Sequence, residues 1–229
     1  MQEKNNIRRL FDDIAPGYDA FNHITSLGMD RAWRRKAIRQ IRGEDILDVA
    51  CGTGDFAIAI ARKLRCRVTG VDISEGMLEQ MRRKIAREGV PGVTAEAGDC
   101  AALRFPDCRF DSVTVAFGVR NFEDRPRCLR EILRVLKPGG RFVMLELGVP
   151  DKGLVRSLFN FYFTRIMPLI GRRISGNEAA YRYLPASVLA FPAPDEWMRT
   201  MREAGFTDVR HRSLTFGICR MYVGEKSKS

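Results

Sequence analysis

The chain has 229 residues and a formal net charge of +11, with 45% hydrophobic and 29% charged residues, which is the composition of an ordinary globular domain. Its six cysteines are scattered without CxxC pairs and it has only two histidines, so we expect reduced thiols and neither a disulfide framework nor a metal site. The charged start lacks the apolar core of a secretory signal, and no apolar run approaches the roughly 18 residues of a membrane-spanning helix. These features predict a cytoplasmic protein.

Residues 7–42 are expected to form two or three helices. From residue 45 to residue 147, short apolar segments alternate with segments of helical spacing. The predicted strands are 45–50, 67–72, 92–99, 111–117 and 141–147. The predicted helices between them are 55–64, 74–89 and 125–140, the last of which is closed by Pro138-Gly139-Gly140. The second of these helices has Ser74 as its N-cap and Gly89 past its end. Strands separated by helices indicate βαβ units and a parallel sheet.

The alternation ends after residue 147. Residues 154–174 are apolar and aromatic, residues 194–205 are helical in pattern, and residues 206–225 suggest two strands joined by a tight turn. We therefore predict a single α/β domain with a Rossmann-like, mostly parallel seven-stranded sheet, helices on both faces and an N-terminal helical arm. Its regions are an arm (1–43), a core (44–149), a substrate-covering insertion (150–193), and a last helix with edge strands (194–225).

The positive charge raises the question of a nucleic-acid partner. The basic residues are spread over helical segments, such as 31–42, 82–87 and 125–137, which favours solvated helix faces over a polyanion site. An RNA-binding protein should interleave exposed aromatics with its basic residues, but here the aromatics cluster in the insertion. We expect no nucleic-acid partner, and RNA binding or RNA modification remains the alternative from another functional class.

The first predicted strand runs into a glycine loop, 48-DVACGTGD-55. Gly52 and Gly54 allow a sharp strand-to-helix turn and a close approach of backbone to ligand. Asp72 follows about twenty residues later, at the end of the second strand, where a carboxylate can accept hydrogen bonds from two ribose hydroxyls.

Two cofactor classes share this arrangement. A pyrophosphate would be repelled by Asp55 at the helix start, and Asp48 adds a second acid beside the loop, so the loop favours a cationic ligand, S-adenosylmethionine, over a dinucleotide. Asp99 ends the third strand, where it can accept from an adenine amino group or simply cap the next turn. The backbone amide of Cys100 would then face a ring nitrogen.

Four stretches resemble the demethylmenaquinone and ubiquinone-biosynthesis C-methyltransferase family within the class I S-adenosylmethionine-dependent methyltransferases. They are 11–35, 47–55, 117–124 and 181–188. The resemblance implies cofactor contacts at Thr53, Asp72, Asp99 and Cys100, and one near Ala116, where relatives often carry serine. The chain departs from the family pattern at His23 and Ala186.

The implied activity is C-methylation of a polyprenyl quinol, foremost demethylmenaquinol, with a benzoquinol or a soluble phenol as alternatives. Arg120 and Asn121 follow the buried strand 111–117, whose carboxyl end faces the ligand crevice of an open α/β sheet. We expect Arg120 to stabilise a developing phenolate and Asn121 to orient the ring or a water. The alternative for Arg120 is an ion pair with Glu123 or Asp124.

The proton acceptor is expected to be water or a residue of the arm. The candidates in the arm are Tyr18, Asp19 and His23, although a helix-face position without a role is the favoured interpretation of His23. Pro16 and Gly17 suggest a hinge that lets the arm cover the site and exclude water. Residues 154–170 could line a path for the polyprenyl tail, contact the inner face of the cell membrane, or pack as plain core. The sequence leaves the oligomeric state open, including a homodimer.

Overall fold

The computed structural model describes residues 2–150, 153–166 and 178–228. The arm contains three helices, which confirms the prediction: α1 (Gln2–Ile14), α2 (Tyr18–Thr25) and α3 (Met29–Ile38). A single 3-10 turn, Ala15–Gly17, separates α1 from α2. Proline 16 suits the start of this turn because it has a fixed φ and needs no hydrogen-bond partner for its nitrogen.

A mostly parallel seven-stranded sheet follows, as predicted, in the order β3-β2-β1-β4-β5-β7-β6. Its last strand in the chain, β7, runs antiparallel to both β5 and β6. The strands are β1 (Asp45–Val49), β2 (Arg67–Asp72), β3 (Val93–Ala97), β4 (Phe110–Ala116), β5 (Leu136–Leu147), β6 (Thr207–Leu214) and β7 (Cys219–Glu225). The helices between the parallel strands are α4 (Asp55–Leu64), α5 (Glu75–Glu88) and α6 (Arg125–Val135).

Local chemistry explains where these helices begin and end. Helix α5 is capped by Ser74, whose hydroxyl accepts from the Met77 amide at 3.1 Å, and it ends at Gly89 in the left-handed region. Helix α6 was predicted within residues 125–140 and to be closed by Pro138-Gly139-Gly140, and it ends at Val135. Pro138 disfavours helical backbone at the residue before it and cannot donate an amide hydrogen, so Leu136–Gly140 opens strand β5 instead.

The strand order reverses between β1 and β4, which are hydrogen-bonded neighbours. Both faces of the sheet are covered, and β4 and β5 lie at its centre, with Val113, Val115 and Phe142 fully buried. Open α/β sheets bind ligands outside the carboxyl ends of the strands at such a reversal. The fold therefore directs attention to the segments that follow β1 and β4.

The insertion adds helices over this edge. Helix α7 (Gly153–Phe161) continues into a wide turn, Tyr162–Ile166, and is followed by α8 (Glu178–Leu189) and α9 (Pro194–Glu203). A small core of Phe159, Leu184 and Val188 joins α7 to α8. Part of the predicted segment 154–174 lies outside the described residues, and no helix in the described part is long and apolar enough to cross a membrane.

Candidate active site

Two cavities meet at the carboxyl edge of the sheet. The first, here called the strand-end cavity, has a volume of about 310 Å³ and lies against the ends of β1, β2 and β4. The second, the apolar cavity, has a volume of about 410 Å³ and lies between the arm, α7 and α8. Phe11, Tyr18 and Phe117 line both. A ligand in one cavity would therefore be separated from a ligand in the other only by these side chains.

The backbone turns sharply where the neighbouring strands β1 and β4 end. Ala50 after β1 and Phe117 after β4 both have positive φ, at 51° and 62°, a conformation that costs non-glycine residues energy and is concentrated at functional sites. A Cβ on Gly118 would lie 2.7 Å from Cβ of Ala50. Glycine at 118 thus allows the two strand ends to approach closely at the edge of the cavity.

Asp72 faces the strand-end cavity, as predicted for a ribose-binding carboxylate. One of its oxygens accepts from the Gly52 amide at 2.8 Å and the other from the Ser74 amide at 2.9 Å. Burial nevertheless raises the pKa of this carboxyl, although the backbone amides oppose the rise. Each carboxylate oxygen has a second lone pair, so the two backbone bonds orient Asp72 and leave it able to accept from a ligand.

Four other predicted cofactor contacts line the same cavity: Gly52, Asp99, Cys100 and Ala116. Asp99 accepts from the Ala101 amide at 3.0 Å, so it caps a turn and forms part of the cavity wall at once. The Cys100 thiol is buried, and burial raises its pKa well above the usual range. A protonated thiol adds no charge to this end of the cavity, and that suits an uncharged base.

The acids of the glycine loop are arranged differently from the prediction. Asp55 lies 2.5 Å from Lys84 Nζ and 3.2 Å from Arg34 Nη1. Burial alone would raise the Asp55 pKa, but these two cations outweigh it and lower that pKa. The charge of Asp55 is compensated within the protein, so Asp55 does not disfavour a pyrophosphate as strongly as the sequence predicted.

Asp48 is the acid that remains without compensation. It is buried, and Thr114 donates to its Oδ1 at 2.6 Å, whereas its Oδ2 has no hydrogen-bond partner among the described residues. Burial raises its pKa to about 7. Asp48 and Arg34 both line a small cavity of about 30 Å³ beside the glycine loop. Within the described chain, Nε of Arg34 is likewise buried and unpartnered, so an acceptor and a donor are both available there.

Thr53 does not direct its hydroxyl toward the strand-end cavity. The hydroxyl donates to Asp19 Oδ1 at 2.5 Å, and Lys84 Nζ lies 2.5 Å from Asp19 Oδ2. Asp19, a candidate proton acceptor, thus has both oxygens engaged by the glycine loop and α5. His23 has 46% of its side chain exposed and lies 3.5 Å from Asp30, which agrees with the helix-face interpretation.

Tyr18 projects from the start of α2 to the junction of the cavities. Burial raises the pKa of its hydroxyl, with the nearby Arg120 and a hydrogen bond to Asn22 acting in the opposite direction. The raised pKa keeps Tyr18 neutral near pH 7, so it is a hydrogen-bond donor there rather than a ready base.

Arg120 lines the apolar cavity and is held by a buried partner that the sequence interpretation missed. Its Nη1 lies 2.8 Å from Glu146 Oε1, with only 6% and 1% of the two side chains exposed, and its backbone amide donates to Glu146 Oε2 at 3.0 Å. The predicted alternative partners, Glu123 and Asp124, were wrong. Nη1 also donates to the Phe117 carbonyl, while Nε is buried without a partner among the described residues. The guanidinium is therefore fixed and retains a free donor.

Asn121 lines the strand-end cavity, and its Oδ1 accepts from the Tyr183 hydroxyl at 2.9 Å. Tyr183 itself lines the apolar cavity. No role for Tyr183 was predicted from the sequence. The stretch 181-YRYLPASV-188 carried part of the family resemblance, and that was the one signal that could have identified it.

Known proteins resemble this chain over nearly its whole length. The model of the ubiE/COQ5 methyltransferase family matches residues 1–226. A ubiquinone/menaquinone biosynthesis C-methyltransferase UbiE of Geobacter sulfurreducens is 48% identical, over 98% of this chain and 90% of its own. A demethylmenaquinone methyltransferase of Bacteroides fragilis is 44% identical, over 98% and 94%.

Among solved structures, the [4+2]-cyclase SpnF superposes with a TM-score of 0.76 at 17% identity, covering 99% of this chain and 97% of its own. Because that identity is low, the match supports the fold alone, and the assignment to a family comes from the relatives in sequence. The chain belongs to the ubiE/COQ5 methyltransferase family and is a methyltransferase.

Proposed function

We propose that this enzyme transfers a methyl group from S-adenosylmethionine to a ring carbon of a polyprenyl quinol, and that demethylmenaquinol is its substrate. The observation that carries the proposal is the pair of cavities that meet at Tyr18 and Phe117. One is walled by carboxylates at the strand ends, and the other is apolar with a fixed guanidinium. The relatives named for menaquinone biosynthesis support the choice of quinol.

The residues of the strand-end cavity fit S-adenosylmethionine. Asp72 would accept from the two ribose hydroxyls, Asp99 from the adenine amino group, and the Cys100 amide would donate to a ring nitrogen. The unpartnered Asp48 Oδ2 and Arg34 Nε would provide an acceptor and a donor for the ammonium and carboxylate of the amino-acid end of S-adenosylmethionine. When bound, S-adenosylmethionine supplies an electrophilic methyl group on its sulfonium.

Arg120 would act on the quinol. A ring carbon becomes nucleophilic when the neighbouring hydroxyl loses its proton, and a preorganised cation beside that oxygen stabilises the phenolate. Glu146 holds the Arg120 guanidinium in place, and the free Nε can donate to the oxygen. Arginine stays protonated in proteins, so Arg120 is not the base. Tyr18, kept neutral by burial, would donate a hydrogen bond, and Phe11 and Phe117 would keep water out.

The mouth of the apolar cavity suggests how a lipophilic substrate enters. Leu27, Leu158 and Phe216 line the cavity, yet their exposed fractions are 72%, 58% and 77%. Exposed apolar side chains around an apolar cavity mark a surface that contacts a membrane, a protein or an apolar ligand, and a polyprenyl substrate favours the membrane. We propose that this rim rests on the inner face of the cell membrane. Phe159, expected to contribute from the 154–170 segment, is buried and packs in the small core.

The test is to incubate the protein with methyl-labelled S-adenosylmethionine and, separately, a naphthoquinol, a benzoquinol, a soluble phenol and RNA, and to identify the product by mass spectrometry. We expect a C-methylated naphthoquinol. Label on a phenol oxygen or on RNA would overturn the proposal. So would a wild-type protein that labels none of the substrates and is no more active than the Asp72→Ala control.

A further inference from the structure

Lys84 of α5 joins three segments of the chain. Its side chain is only 12% exposed, and its Nζ lies 2.5 Å from Asp19 Oδ2 of the arm and 2.5 Å from Asp55 Oδ1 at the start of α4. The same Nζ donates to Thr53 Oγ1 of the glycine loop at 3.1 Å. An ammonium has three donors, and here each one reaches a different residue.

Asp19 is the point where the arm attaches. Its Oδ1 accepts from the Thr53 hydroxyl at 2.5 Å while its Oδ2 faces Lys84. A hydroxyl has a single proton to donate, so the Thr53 proton is committed to the arm. The threonine for which the family resemblance implied a cofactor contact is therefore an anchor of the arm.

A second anchor lies at the other end of the same arm segment. Asp12 Oδ1 accepts from the Ser74 hydroxyl at 2.6 Å and from the Gly76 amide at 3.1 Å. These groups lie at the N-terminus of α5, which favours a negative charge. The chain between Asp12 and Asp19 includes Tyr18 and is thus attached to α5 at both ends.

The two anchors lie beside the groups that orient the ribose-binding carboxylate. Asp72 accepts from the amides of Gly52 and Ser74. Gly52 precedes the anchor Thr53, and Ser74 is itself part of the Asp12 anchor. Tyr18 of the anchored segment and Phe11, the residue before Asp12, form part of the strand-end cavity wall. Closure of the arm and the geometry of the cavity therefore depend on the same few residues.

We propose that Lys84 is a positioning residue that latches the arm over bound S-adenosylmethionine and so holds Tyr18 at the junction of the two cavities. This inference rests on the proposed cofactor. It predicts that the arm must leave Lys84 before the cofactor can exchange. The alternative is that Lys84 only stabilises the packing of α4 on α5 through Asp55, which Arg34 also contacts.

The experiment compares Lys84→Met, Lys84→Arg and the control Lys63→Met, which alters an exposed lysine in the last turn of α4. The probe is S-adenosylhomocysteine, with affinity measured by calorimetry and dissociation by stopped flow on the full chain. We expect Lys84→Met to raise Kd about tenfold, mostly through faster dissociation, since charge-assisted hydrogen bonds to the arm are lost. Lys84→Arg should recover a large part of the lost affinity, and Lys63→Met should bind S-adenosylhomocysteine as tightly as the wild type.

A double-variant cycle with Asp19→Asn shows whether the two residues act together. If Lys84 acts through Asp19, the double variant should bind S-adenosylhomocysteine no more weakly than the single variant with the lower affinity, because the effects of substituting two interacting residues do not add. Hydrogen exchange of the arm amides should accelerate in Lys84→Met and in Asp19→Asn. If Lys84→Met does not fold, Asp19→Asn alone tests the latch, through faster dissociation of S-adenosylhomocysteine and faster exchange of the arm amides.

Three results would count against the latch: dissociation within twofold of the wild type, additive effects of Lys84→Met and Asp19→Asn, or a lower melting temperature with unchanged arm exchange. A wild-type protein that does not bind S-adenosylhomocysteine at all would instead contradict the proposed cofactor. The two failures are therefore distinguishable.

Discussion

Replacing Arg120 with alanine should have two separable effects. The first is on stability, because the substitution leaves the Glu146 carboxylate, with 1% of its side chain exposed, without its cation. Removing one partner of a buried ion pair typically costs about 3–5 kcal/mol. The second is on rate, because a donor to the phenolate disappears, and loss of one such donor costs about 10²–10³ in rate.

The double variant Arg120→Ala/Glu146→Gln separates these effects. Glutamine removes the orphaned charge, so the free energy of unfolding should return to within about 1–2 kcal/mol of the wild type, the remainder reflecting the imperfect replacement of the carboxylate's hydrogen bonds. The rate should stay as low as in the single variant, since glutamine restores no cation to the apolar cavity.

Urea unfolding and single-turnover methylation, measured on the same preparations, test the reasoning. Arg120→Lys should recover only part of the rate, because lysine keeps the charge and loses the planar fork. Raising the pH should partly rescue Arg120→Ala, since a quinol hydroxyl near its own pKa needs less help to ionise. If the double variant methylates at nearly the wild-type rate, the contribution of Arg120 is structural and our assignment is wrong.

Three further predictions concern the rest of the site. Asp72→Ala should weaken S-adenosylmethionine binding at least tenfold in calorimetry while the fold survives, because charge-assisted bonds are worth about 1.5–3 kcal/mol each; unchanged affinity would contradict the ribose assignment. Asp48 has a folded-state pKa of about 7, above its unfolded value of about 3.9, so the folded protein holds a proton that the unfolded chain releases between these values. The free energy of unfolding should fall as pH rises through that window, by at most about 1.4 kcal/mol per pH unit. In urea unfolding, Asp48→Asn should therefore become more stable relative to the wild type as the pH is raised from 5 to 8. A difference in free energy that stays constant over this range would show that Asp48 is not buried in its neutral form. Leu158→Ser combined with Phe216→Ser should reduce flotation with anionic lipid vesicles, whereas the control Leu189→Ser, at a site 67% exposed, should float like the wild type, and equal flotation of all three proteins would contradict the membrane rim.

The features of the fold that were predicted correctly are those set by residues close together in the chain. Helix α4 begins and ends where its spacing predicted, and α5 has the predicted cap, because these features depend on neighbours within one turn. Helix α6 ends shortly before the Pro-Gly-Gly sequence that was predicted to close it, whereas the early start of β5 at Leu136 was not predicted. The glycine loop and Asp72 were recognisable because parallel βα units place strand ends at a common edge.

The sequence by itself determined the class of fold, the edge that carries the site and the family, since periodicity, turn chemistry and short motifs are local properties of the chain. Only the tertiary structure decided which charges face a ligand. Asp48 and Asp55 look alike in the sequence, yet Lys84 and Arg34 form ion pairs with Asp55 from other helices. Asp48 forms no ion pair among the described residues, and burial is the largest influence on its pKa. Arg120 and Glu146 are likewise 26 residues apart in the chain and meet because adjacent strands of the sheet end side by side. Pairings of this kind depend on burial and on contacts across the fold, and no local pattern encodes them.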